Sequence, residues 1–88
     1  MLHKYWFEFD VTLADAPPLG TLVGCGVTAR SREEAVTMLK ERVFRADPLP
    51  KIRRYLQYID LSSLDQNHVI PNMSDPDRIG VWFPLGYE

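Results

Sequence analysis

The stretch Tyr5-Trp6-Phe7-Glu8-Phe9-Asp10-Val11-Thr12-Leu13 decides the fold. Tyr5, Phe7, Phe9, Val11 and Leu13 occupy one parity and Trp6, Glu8, Asp10 and Thr12 the other, which is the period of a strand buried on one face. Residues 14–20 follow with Asp15, Pro17, Pro18 and Gly20, residue types that interrupt ladders and favour turns, so the chain is expected to reverse there. Alternation resumes over 21–29: Val23, Cys25, Val27 and Ala29 share one face, and Leu22, Gly24, Gly26 and Thr28 the other. The two segments are predicted to pair as an antiparallel hairpin.

Beyond the hairpin the period changes. Ser31 stands three residues ahead of Glu34, the spacing of a capping box, and Ala35, Val36, Met38, Leu39, Val43 and Phe44 recur at helical intervals. This predicts a helix over 32–44 that covers one sheet face. Pro48 and Pro50 end it. In 49–59 the spacing of Leu49, Ile52, Leu56 and Ile59 reads as a short helix, with extended chain running into Tyr58–Leu61 as the alternative. Residues 62–78 are rich in Ser, Asp, Asn and Pro, and read as a long irregular loop of the kind that often carries function. Ile79, Val81 and Phe83 alternate with Gly80 and Trp82 in a final strand. The predicted fold is α+β: an antiparallel sheet of three to four strands with one main helix on one face, in the order ββα(α)ββ.

Composition narrows the classes further. Eighty-eight residues suit one domain, 1–88, and 45% apolar with 25% charged residues gives a core without any run apolar enough for a membrane span. Ten basic against twelve acidic residues leave a net charge of -2, so no broad positive field draws a phosphate backbone and nucleic acid is not an expected partner. Cys25 is the single cysteine, which excludes an internal disulfide framework and makes the cytosol the default compartment; residues 1–10 lack the continuous apolar core of a signal peptide.

Four groups of residues are candidates for chemistry. If the helix covers the face of Phe7, Phe9, Val23 and Val27, then Trp6 and Trp82 lie on the opposite face over Gly24 and Gly26. Glu8, Asp10 and Thr12 then rim them. Either the indoles roof the glycines, filling gaps in an exposed face or lying under the long loop, or they form an exposed apolar and acidic surface for a protein partner, or they line a small-ligand cleft. The second group is the loop around Asp65, His68 and Asn72, with Asp75 and Asp77 alongside. An acid–base role for His68 requires a carboxylate from Asp60, Asp65, Asp75 or Asp77; the structural alternative is that these side chains bond the backbone and shape the loop. Cys25 has core parity and reads as a buried thiol rather than a partner for His68. Lys51, Arg53 and Arg54 make a small basic spot, either a solvated face or a contact for an anion or an acidic partner.

No metal is expected, since one cysteine and two distant histidines match no zinc spacing, and counting from Asp75 places Ile79 where an EF-hand needs oxygen. No cofactor is expected either, because Gly24-Cys25-Gly26 lies within a strand and not in a phosphate-binding loop.

The run Ile59-Asp60-Leu61-Ser62-Ser63-Leu64-Asp65-Gln66-Asn67-His68-Val69-Ile70-Pro71-Asn72-Met73, with Arg78-Ile79-Gly80-Val81-Trp82-Phe83-Pro84, resembles small bacterial proteins, some of which look like immunity proteins encoded beside toxin genes. That resemblance brings no catalytic residues with it. It implies a non-enzymatic protein-binding module, most concretely a cytosolic inhibitor that occludes a toxin or enzyme with a basic surface. The expected contacts are Trp6, Glu8, Asp10 and Trp82, with Asp65, His68, Asn72, Asp75 and Asp77 beside them. Homodimerisation through a sheet edge or the tryptophan face would add stability. The rival readings are a small enzyme using His68 with a loop carboxylate, and a structural subunit of a larger assembly.

Overall fold

The alternating run builds strand β1, His3–Phe9, which pairs antiparallel with β2, Cys25–Ala29, in the register Tyr5 to Val27 and Phe7 to Cys25. A computed structural model describes residues 1–18, 20–45 and 48–87. Both strands of the hairpin are shorter at the turn end than the alternation predicts. The Asp15 carboxylate accepts the Thr12 N–H at 2.7 Å and folds Leu13–Asp15 into a 3-10 turn, so β1 cannot continue. Thr21 turns back onto Pro18, whose carbonyl accepts from both the Thr21 N–H and its hydroxyl. Val23, expected in the core, is consequently exposed ahead of β2.

The helix α1, Arg32–Arg42, starts where the capping pattern places it. Ser31 Oγ accepts the Glu34 N–H at 3.1 Å, while the Glu34 carboxylate reaches back to the Arg30 N–H at 2.8 Å, one residue beyond the usual reciprocal contact. Ala35, Met38 and Leu39 are buried against one face of the sheet, with Val43 and Phe44 closing the packing beyond the C-terminal end. Tyr5, Phe7, Phe9, Cys25, Val27 and Val81 meet them.

The helix expected in 49–59 does not form. Residues Ile52–Leu56 are strand β3, antiparallel to β1 with Trp6 opposite Leu56 and Glu8 opposite Arg54. Strand β4, Gly80–Phe83, pairs antiparallel with β2, and the sheet order is β3-β1-β2-β4. The elements therefore run ββαββ, a four-stranded antiparallel sheet with one main helix. Where β2 meets β4 the register slips, so that Gly26 faces Phe83 and Val27 faces Val81. Two residues then span the distance normally covered by one, and Trp82 and Phe83 both end on the face opposite α1. Alternation alone had put Phe83 with Val81.

Candidate functional site

Parity delivers both indoles to the side of the sheet away from α1, but it does not leave them open. Trp6 is 3% exposed and Trp82 1% exposed. Their rings stack at 6.0 Å with planes 29° apart, and Phe83 lies 5.6 Å from Trp6. Leu64 and Val69 are buried on top, and Ile59, Leu61, Ile70 and Met73 pack around them. The glycine floor has the function its position suggests. A Cβ at Gly24 would stand 2.6 Å from the Trp6 ring, and the Trp82 ring fills the place of a Cβ at Gly26. The exposed aromatic docking surface expected from the sequence is thus absent: a second apolar core occupies its place, and residues 59–73 are its cover.

Glu8 is not part of an acidic rim. Its carboxylate is 19% exposed, accepts the Trp6 Nε1–H at 3.1 Å, and is paired with Arg53 at 3.1 Å and Arg54 at 3.0 Å. Partial burial pushes the carboxyl up, yet the hydrogen bonds from Arg54, Trp6 and Arg53 outweigh it and hold Glu8 below the usual range. Asp10 lies beyond the end of β1, exposed, with its N–H donating to the Lys51 carbonyl at 2.9 Å. Neither residue flanks an open indole.

The cover itself is ordered by short polar side chains. Asp60 accepts from both the Ser62 N–H and hydroxyl, capping the 3-10 turn Leu61–Ser63. Asp65 accepts the Asn67 and His68 N–H groups, and its other oxygen contacts His68 Nδ1 at 3.0 Å. These contacts hold Asp60 and Asp65 below the ordinary aspartate range, chiefly through the Ser62 hydroxyl and the Asn67 N–H respectively. Asn72 donates from its side chain to the His68 carbonyl at 2.8 Å, and its own carbonyl accepts from the Leu85 N–H. Asp75 accepts the Asp77 N–H, and Asp77 pairs with Lys4 at 3.2 Å. Three further ties fasten the cover to the sheet: Ile59 N–H to Lys4 carbonyl, Ser74 N–H to Trp82 carbonyl, and the buried Thr28 hydroxyl to Pro76 carbonyl.

Of the expected loop residues, Asp65, His68 and Asn72 are linked to one another and Asp75 to Asp77, in two separate groups on the cover above the two tryptophans. Arg53, Arg54 and Thr28, which fix this arrangement, carry no local pattern that announces the role. What the sequence does offer is the six apolar residues from Ile59 to Met73 within an otherwise polar stretch, enough to roof two indoles.

His68 is 75% exposed and lies on the wall of a concavity of about 580 Å³, with Val23, Asn72, Phe83, Pro84 and Tyr87 among its other lining residues. Cys25 is on the opposite face in the helix-side core, where burial pushes its thiol far up, so it supplies no thiolate to His68. Among the described residues no three His, Cys, Asp or Glu side chains converge as a metal site, and no helix is long and apolar enough to cross a membrane. Comparison with family models, with curated proteins and with solved structures finds no match to this chain.

Proposed function

We propose that the chain is a non-enzymatic protein-binding module whose docking surface is the outer side of the 60–77 cover. One observation carries the reading: from Ile59 to Asp77 the chain has four aspartates and no lysine or arginine, while Ile59, Leu61, Leu64, Val69, Ile70 and Met73 pack inward onto the indoles. The outward side is left acidic and polar. Asp60, Asp65, Asn72 and Asp75 are fixed by bonds to backbone groups, so docking costs little additional ordering. A surface of this kind suits a partner with a basic face, which negative potential would steer into contact. A cytosolic inhibitor of the immunity kind, occluding a cationic toxin or enzyme, is the concrete form that the resemblance of 59–73 and 78–84 favours. Trp6 and Trp82 serve from below as the platform that keeps the cover in shape.

The test is a photocrosslinking amino acid at Gln66, an exposed position on the cover. A specific protein captured there should be lost when Asp60, Asp65 and Asp75 are changed together to Asn, in a variant whose amide-exchange pattern is otherwise retained. Equal capture by the triple variant rejects the reading.

A second reading has its own observation. His68 touches a carboxylate at 3.0 Å and faces a concavity, the two geometric requirements of an acid–base site. Turnover of chromogenic esters that disappears in both His68→Asn and Asp65→Asn would support it. Identical background rates in wild type and both variants would remove it.

A further inference from the structure

The sheet has two edges, and the chain treats them differently. At β4 the cover meets the edge, with the Ser74 N–H donating to the Trp82 carbonyl at 2.8 Å. At β3, among the described residues, backbone hydrogen bonds run to β1 alone. An unpaired edge is a template for another strand. This one is also furnished for recognition. Along β3 and just past it, Tyr55, Leu56 and Tyr58 are exposed. Beside it, a cleft of about 330 Å³ separates the strand from α1, floored by Val36 and Ile52 and flanked by Arg32, Glu33, Thr37 and Lys40. Arg32, Val36 and Lys40 are successive four-residue steps on the helix, so one stripe of α1 runs along the cleft. A strand added to β3 would direct alternate side chains into it.

Charge selects the occupant. Arg53 and Arg54 on the strand, Lys51 just ahead of it, and Arg32 and Lys40 on the helix outnumber the carboxylates beside them among the described residues, Glu8, Asp10 and Glu33, in a chain whose overall charge is -2. Two such edges brought together as a symmetric dimer would set these cations against each other, so the charge disfavours a second copy. We infer that the β3 edge, together with the α1–β3 cleft, binds an extended acidic segment of a partner protein by strand addition: its backbone pairs with β3, alternate apolar side chains enter the cleft, and the intervening carboxylates, directed to the other face, meet Arg53 and Arg54. This surface adjoins the acidic cover, with Arg54 and Asp65 lining one concavity of about 310 Å³ between them, and is opposite to it in sign.

The probe is a short fluorescein-labelled peptide alternating valine with glutamate, followed by anisotropy and by amide hydrogen exchange. The expected result is saturable binding that slows exchange within 52–56 and weakens as salt is raised. A valine–lysine peptide should not bind. An equally acidic peptide with proline in alternate positions should not bind either, because it cannot pair as a strand. The double variant Lys51→Glu, Arg53→Glu should lose roughly tenfold or more in affinity; if it fails to fold, the proline peptide and the salt series with wild-type protein decide. Absence of binding, equal binding of the proline peptide, or protection confined to 60–77 would overturn the proposal. So would protection of 52–56 that rises with protein concentration in the absence of peptide, which would assign the edge to a second copy.

Discussion

Gly26 has no room for a side chain, since the Trp82 ring fills the position of its missing Cβ, and Gly24 is similarly closed by Trp6 and the Phe7 carbonyl. Gly26→Ala should therefore cost about 1–3 kcal/mol through forced repacking of the indoles, read as a lower midpoint in urea unfolding with an unchanged slope. A near-neutral variant would mean that the rings are not seated on the strand. Glu8 presents the complementary case of a polar residue fixed by several partners. Its replacement by Ala removes the acceptor of the Trp6 indole N–H and both arginine contacts, with an expected loss of about 1–3 kcal/mol in the same measurement. At this scale much was legible beforehand. Strict alternation around Trp6 placed its indole on the correct face, and Gly24 and Gly26 signalled something large above them. The charge state of the site was not legible, because Arg53 and Arg54 reach Glu8 only through a pairing across more than forty residues.

The cover is the element on which the account turns, and it has an acid-sensitive side. Asp60, Asp65 and Glu8 are all held below their ordinary values in the folded protein. A carboxyl depressed by folding adds stability that is present above its unfolded value, about 3.9 for aspartate, and is lost as pH falls through the folded one. All three groups act on the loop side of the sheet. Tryptophan emission should shift to the red below about pH 4 while far-ultraviolet circular dichroism from α1 persists; simultaneous loss of both signals would contradict local opening. The elements also show why sequence periodicity fails where it does. Leu49, Ile52, Leu56 and Ile59 fit a helical spacing, yet β1 offers an open edge and Ile52–Leu56 pairs there, a non-local choice that a local window cannot register. The slip between β2 and β4 moved Phe83 to the other face for the same reason. Within 59–73 the apolar residues follow neither period, because irregular chain interrupted by 3-10 turns at Leu61–Ser63 and Ile70–Asn72 carries them.

The whole molecule is a sheet with a core on each face and a division of charge between two surfaces. Four aspartates lie in the cover over the tryptophans, whereas Lys51, Arg53 and Arg54 lie at β3 and Arg32 and Lys40 on the neighbouring side of α1. Association through the cover should be fastest at low salt and slow steeply as salt is added, with little change in dissociation, since exposed charges govern encounter more than residence. A salt-independent on-rate would point to a different surface. The α+β class and helix placement were readable from periods of two and 3.6, but the docking surface was not: burying the indoles transfers recognition from the aromatic rings to the segment above them. Both tryptophans belong to that buried cluster, so their accessibility reports on it without labels. Acrylamide quenching of native protein is therefore the most direct test. Burial of both indoles predicts blue-shifted emission and quenching far slower than for free indole, becoming several-fold faster in Leu64→Ala, Val69→Ala protein whose sheet amides stay protected. Native quenching as fast as that of an exposed tryptophan would contradict it, returning the indoles to the surface and removing the cover from the explanation.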